Sequence, residues 1–338
     1  MDDFVPLKAH PEWVVLGKCF VPGGQPVPRC AVGVTLGAAS KALRVVGPRV
    51  WSDARADAVL SDPVAFTEMP IDWTRALGGP GDAANPAGCG LASREAPNVE
   101  SPEAPLAHRS DRPGPAGYGP LNARWRPRAV HLGRRYDAAW RSLGGRGYAD
   151  DFDLRYFQCA PADQWLPEGL RGDEPFRLHN LHPTRPVLGG RLPGVRVRVV
   201  VRVDDGSTRE VALRLDTVVF EPNDARVTLT WRGLTAVPDD TLAALRALLV
   251  VHEALDETPR PLAEYAARLD EALADPQGIE ATLRAHLPPD EAERALAVVR
   301  HAEGRPARTA PDPVETLLDA RAPHLQPAER ARVTGALT

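Results

Sequence analysis

Three regimes of hydrophobic patterning divide the chain. Residues 11–51 hold short β-prone runs, "EWVVLGKCF", "RCAVGVTL" and "ALRVVGPRVW", separated by turn chemistry at Pro22-Gly23-Gly24 and Gly47-Pro48. Their spacing suits a meander or a sandwich sheet. Strand patterning returns over 192–232. In "VRVRVVVRV", Val195, Val197, Val199, Val201 and Val203 point one way and Arg196, Arg198 and Arg202 the other. That period of two predicts a half-buried strand with its arginine face wet. Asp204-Asp205-Gly206 then turns the chain into "REVALRLDTVVF", and Pro222-Asn223-Asp224 turns it into "RVTLTW". Together these predict a three-stranded antiparallel meander. After Pro238, "DDTLAALRALLVVHEAL" has an acidic start and an apolar period that predict a helix. Further helices are expected over 261–274, 277–286, 289–301 and 312–320, broken by Pro276, Pro288-Pro289, Pro306 and Pro311.

Between the two strand-rich regions, residues 52–190 follow neither period. Pro, Gly, Asn and Asp interrupt every few residues, yet Phe66, Trp73, Tyr118, Trp125, Tyr136, Trp140, Phe152, Tyr156, Phe157 and Trp165 keep appearing. A disordered linker is poor in aromatics. The pattern predicts long ordered loops pinned by large side chains, with a short helix near 136–141. The expected fold is therefore α+β: a mainly antiparallel, sandwich-like β scaffold over 1–238 with long loops at 52–190, and a helical C-terminal segment over 239–338.

Composition narrows the function without naming it. The chain has 338 residues, 43% hydrophobic and 25% charged, which is globular. Its net charge of −4 gives no basic field for holding nucleic acid. Only Lys8, Lys18 and Lys41 are lysines; the other cations are arginines. The start, "MDDFVPLK", is acidic and lacks an apolar segment, and no run of about 18 apolar residues occurs. A cytoplasmic protein without a membrane span is expected. Cys19, Cys30, Cys89 and Cys159 form no C-x-x-C pair. They are read as free thiols, although Cys19 and Cys30 lie in neighbouring expected strands and can approach.

Gly79-Pro80-Gly81-Asp82-Ala83-Ala84 satisfies the loose dinucleotide pattern G-x-G-x-x-A. That fingerprint needs a strand before it and a helix after it. Here "MPIDWTRAL" before it has a helix-like pattern, Asn85-Pro86 follows, and Pro80 removes an amide donor. An ordered corner anchored by Trp73 is the expected role. His252-Glu253 starts a zinc-protease pattern whose fifth residue is Asp256 instead of His, so a surface charge pair on a helix is expected. His179 and His182 have metal-like spacing, and Asp150, Asp151 and Asp153 cluster before "LRYF". Turn and hydrogen-bonding roles are expected at both. No G-x-S-x-G elbow occurs. No catalytic residue, cofactor or metal is therefore expected.

Several blocks together resemble one family. They are "FTEMPIDWTRALGGPGDAANPAG", "APNVESPEAP", "DRPGPAGYGPL", "PRAVHLGRRYDAAW" after Trp125, "DFDLRYFQCAPADQW", "GDEPFRLHNLHP", "GRLPG" and "LDTVVFEPNDARVTLTWRG". In order and spacing these are similar to the type VI secretion accessory proteins of domain-of-unknown-function family 2169, over roughly residues 1–255. The resemblance implies a cytoplasmic, non-enzymatic adaptor or chaperone. Its partner would be a secreted effector toxin or a spike-tip protein of PAAR or VgrG type, with no role for nucleic acid or membrane. It also implies family sequence ahead of "DDFVPLKAHPEW", so a shortened form or an uncovered sheet edge is expected, and a tail that fixes which effector is served. Trp, Tyr and Arg dominate binding hot spots. On that ground Trp73, Arg75, Tyr118, Trp125, Tyr136, Trp140 and Trp165 are the candidate contacts. The alternatives are a metal-dependent hydrolase using His179, His182 and the Asp151–Asp153 cluster, or a secreted structural piece of the spike.

Overall fold

The computed structural model describes residues 7–138, 148–203, 206–234 and 245–274, with scattered positions between 278 and 293. The fold is α+β and β-rich, with mostly antiparallel pairing and, among the described residues, two α-helices. Strands β1 (Glu12–Val15), β2 (Lys18–Phe20), β3 (Arg29–Leu36) and β4 (Ala39–Val46) come from the first patterned region. The central loops contribute β5 (Glu68–Pro70), β6 (Leu77–Gly78), β7 (Cys89–Gly90), β8 (Val99–Glu100) and the short helix α1 (Arg126–Ala129). Then follow β9 (Pro175–His179), β10 (Val187–Arg191), β11 (Val195–Val203), β12 (Thr208–Ala212), β13 (Arg214–Glu221) and β14 (Arg226–Arg232). The last described elements are β15 (Leu245–Ala254) and α2 (Leu262–Ala274).

Two sheets make the main core. One has the order β10-β9-β3-β4-β8 and the other β1-β13-β14, with β1 parallel to β13. Alternation on β3 and β4 turns Val32, Val34, Leu36, Leu43 and Val45 inward, where they meet Trp13, Val15, Val218 and Phe220 of the second sheet. The second face of β1-β13 is covered too. Val14 and Val219 pack on Cys159 and Ala160, with Trp165 alongside. This double burial is why "LDTVVF" reads as a continuous run rather than an alternation.

A buried ionic network ties the N-terminal segment to this covered face. Glu12, fully buried, pairs with Lys8 and accepts hydrogen bonds from Gln158 Nε2 (2.9 Å) and the amides of Cys159 and Ala160 (3.0 Å each). Lys8 Nζ also donates to Thr217 Oγ1 at 2.8 Å, and buried Asp216 pairs with Arg232. Burial and the Glu12 charge push the Cys159 thiol up to about 12.

Three expectations are corrected. First, "REVALRLDTVVF" is not one returning strand. It breaks at Leu213, so that β12 pairs with β11 while β13 crosses to pair with β1 and β14. Second, "LRALLVVHEA" is a strand, not a helix. β15 pairs antiparallel with β11 along its length, giving the sheet order β12-β11-β15. A short apolar run carries helical and extended periods at once, and here the open edge of β11 selects the extended one. Third, the arginine face of β11 is the covered one. Val200 and Val251 pack beneath Tyr265 and Leu269 of α2, and Arg198, on the same face, is only 6% exposed. The opposite face leaves Leu248 and Val250 over half exposed. The helix expected over 261–274 is present as α2, whereas those over 277–286, 289–301 and 312–320 lie largely or wholly outside the described residues. The short helix expected near 136–141 falls mostly there as well.

Arginines face α2 because their charges are matched. Arg198 donates through Nε to Glu210 (2.8 Å) and through Nη1 to Glu253 (3.1 Å) and to the Arg260 carbonyl (3.0 Å). Tyr265 Oη donates to Glu253 at 2.5 Å. Burial acts to raise the Glu253 carboxyl, but hydrogen bonds from Tyr265, the Arg260 amide and Arg198 outweigh it and hold it at about 2.

Candidate partner-binding groove

The glycine-rich stretch after Trp73 is a built corner. Its approach is not helix-like as expected: β5, a 3-10 turn over Trp73–Arg75 and then β6 lead directly into it. Asp72 caps that turn, its Oδ1 accepting from Thr74 N at 2.9 Å. Buried Asn85 is the corner's peg, donating from Nδ2 to the carbonyls of Trp73 (2.9 Å) and Leu77 (3.1 Å). The amides of Gly79 and Gly88 donate to the Asn85 carbonyl, and those of Ala84 and Asn85 donate to Asp82 Oδ1. The amides of Gly79, Ala84, Asn85 and Gly88 are therefore engaged internally. Gly88 is required by space: a Cβ there would lie 2.4 Å from Asn85 Nδ2 and 2.7 Å from the Ala76 carbonyl. The Arg126 amide donates to Ala83 O at 2.8 Å, joining the corner to α1.

That junction places Trp125 against Trp73, edge to face, with ring centroids 6.1 Å apart and planes at 87°. Gly117 backs the Trp73 ring so closely that a Cβ would meet its carbons at 3.0 Å. Beside the two indoles lies a groove of about 440 Å³, lined by Leu16, Gly17, Ile71, Trp73, Gly119-Pro120 and Trp125, among others. Its floor is apolar, and Leu16 on its wall is 42% exposed. Asp72 and Thr74 give it a polar rim. The indole N–H groups of Trp13, Trp51 and Trp73 are buried without an acceptor among the described residues, and of these Trp73 alone lines the groove.

The seven sequence-nominated residues divide clearly. Trp73 and Trp125 meet in the groove, and Arg75 lies exposed next to it, its Nη1 3.5 Å from Asn98 Oδ1. Tyr118 is a core residue, 1% exposed, with its hydroxyl 3.2 Å from the Lys41 carbonyl. Trp165 covers β1, stacked on His10 and donating from Nε1 to Ala160 O at 3.0 Å. Tyr136 is half-buried and not part of the groove lining, and Trp140 lies outside the described residues. Leu16, Gly17, Ile71 and Gly119-Pro120 were missed, because they are scattered over a hundred residues and carry no aromatic or charged signal. A second aromatic group was also missed: Tyr148, Phe152, Tyr156 and Phe157 contact one another with centroids 4.2–5.9 Å apart. Arg128 lies 5.5 Å from the Tyr156 ring centroid.

The residues of the hydrolase alternative are held in local structure. His182 Nδ1 accepts from the amides of Thr184 (3.2 Å) and Arg185 (3.1 Å). Asp151 accepts from the amides of Arg134 and Arg135, and Asp153 caps a 3-10 turn. His252 and Glu253 are not a helical charge pair but neighbours on β15, facing opposite sides of the sheet. Among the described residues no three His, Cys, Asp or Glu side chains gather as a metal site, and no helix is long and apolar enough to cross a membrane.

Residues 1–232 match the model of the DUF2169 family, described as an uncharacterized protein conserved in bacteria, and the chain belongs to that family. No curated protein and no solved structure matches it.

Proposed function

We propose that this DUF2169 member is a non-enzymatic adaptor of a type VI secretion machine. In this reading it binds an effector or spike-tip protein in the cytoplasm and assists its loading onto the spike. The observation that carries the reading is the groove: an apolar floor and two touching indoles held by a corner that Asn85 and Asp82 brace from within. A preorganised concave surface with aromatic anchors lowers the ordering cost of binding a protein partner. The motif blocks that resemble type VI accessory proteins supply the partner class. The groove itself presents no pair of acid and base side chains, which is why binding rather than catalysis is the function offered.

Co-expression with the effector and spike-tip proteins encoded beside the gene tests this directly. A co-purifying complex is expected. Leu16→Asp, at an exposed wall position, and Trp125→Ala, at a half-buried one, should each weaken it by about 30-fold or more, and Leu16→Asp should leave the unfolding midpoint close to wild type. Absence of any complex with those proteins overturns the reading. A complex indifferent to both substitutions moves the binding surface away from the groove.

A further inference from the structure

Strand β2 belongs to a two-stranded ribbon with β5, whereas β3 lies in the five-stranded sheet. Asn180 clamps the two together. Its carbonyl accepts from Phe20 N at 2.8 Å, and its Nδ2 donates to Ala31 O at 2.8 Å and lies 3.7 Å from Cys30 Sγ. Asn180 adopts the left-handed conformation (φ 58°) in doing so. The clamp holds β2 against β3, so that Cys19 and Cys30 pack in the same hydrophobic core. Cys19 is fully buried in the main core, and Cys30 is partly exposed against it.

We propose that Cys30 is an oxidation site for peroxide-type oxidants and that Cys19 resolves its oxidised form into a Cys19–Cys30 disulfide. The outer thiol is reachable and the inner one packs in the same core, the arrangement an attacking and a resolving cysteine need. The neighbouring Cys19 thiol, with help from the Ala31 backbone and Asn180, outweighs burial and lowers the Cys30 thiol to about 7. The Cys30 thiol and burial push Cys19 up, so Cys19 keeps its proton. Burial raises Cys89, and burial with the Glu12 charge raises Cys159, which leaves Cys30 the one activated thiol among the four.

The steps balance. The Cys30 thiolate attacks hydrogen peroxide, the O–O bond breaks, and a sulfenic acid forms with release of hydroxide. Cys19 sulfur then attacks Cys30 sulfur, the S–O bond breaks, and the departing hydroxide takes up the Cys19 proton as water. Two thiols and one peroxide become one disulfide and two waters. The bond would staple the β2-β5 ribbon to the five-stranded sheet. Gly17 immediately precedes β2, and Ile71 immediately follows β5, so the staple sits at the root of two groove walls. Only that last consequence rests on the function proposed above; the oxidation does not.

The test uses the full reduced chain, exposed briefly to hydrogen peroxide while folded, then blocked with maleimide in denaturant and digested with trypsin without reductant. Trypsin releases Cys19–Arg29 and Cys30–Lys41 as separate peptides. The expected product is these two joined, at the summed mass less two hydrogens, with Cys89 and Cys159 still carrying maleimide. Cys19→Ser should leave a dimedone-reactive sulfenic acid at Cys30, and Cys30→Ser should abolish oxidation at Cys19. Failure of wild type to give the linked pair overturns the proposal, whether or not either variant folds. So does equal oxidation of Cys89 or Cys159.

Discussion

Two hairpins adjacent in sequence, β11–β12 and β13–β14, bury opposite kinds of face. In the second, β13 is closed on both sides by apolar packing, and its charged residue Asp216 is drawn into a pair with Arg232. In the first, the arginine row lies under α2, while the opposite face keeps Val199 and Val201 partly open beside exposed Leu248 and Val250. Alternation states that a strand has two faces. It does not state which one is covered, because a covered face can be built from ions when each finds its counter-ion and remaining hydrogen bonds. Arg198, Glu210, Glu253 and Tyr265 meet that condition.

The sharpest way to break this comparison is to unpair each buried network. Glu12→Ala strands buried Lys8 on the covered second face of β1-β13 and should cost about 3–5 kcal/mol, read by urea denaturation. Arg198→Ala should cost somewhat less, about 3 kcal/mol, because Glu210 retains access to water. A cost near zero for Arg198→Ala would mean that the arginine face is wet after all. The pH dependence probes the same network from the other partner. Glu253 is held at about 2, well below the ordinary glutamate value of 4.5. A carboxyl lowered on folding contributes stability that is complete above its unfolded value and fades as pH falls through its folded value. The wild type should therefore lose this contribution between about pH 4.5 and pH 2, and Glu253→Gln should flatten that part of the stability curve. The smallest effect belongs to the outward row: Leu248→Ser should change stability by no more than about 0.5 kcal/mol. If Leu248→Ser costs more than Arg198→Ala, the two faces are the other way round.

Much of the scaffold was legible. β3 and β14 follow their alternation, and α2 its helical period. What escaped was set by partners distant in sequence. Leu245–Ala254 has the leucines and alanines of a helix, and only the edge of β11 makes it a strand. The groove was half legible, since Trp73 and Trp125 stand out among prolines and glycines. Its walls did not, because nothing local marks Leu16 or Ile71 as neighbours. Tyr118 carried the same signal as Trp125 yet lies in the core, since an aromatic in a loop serves equally as an anchor or a contact.

β15 has one more consequence. The stretch shared with the family ends at residue 232, whereas the strand that closes one side of β11 begins at Leu245. A gene cut at the family limit would leave a nine-residue strand with an open flank. Such a flank recruits whatever extended chain is at hand, including its own copies. The shortened polypeptide would be expected to precipitate or to exchange strands, so β15 acts as a guard on the open edge of β11.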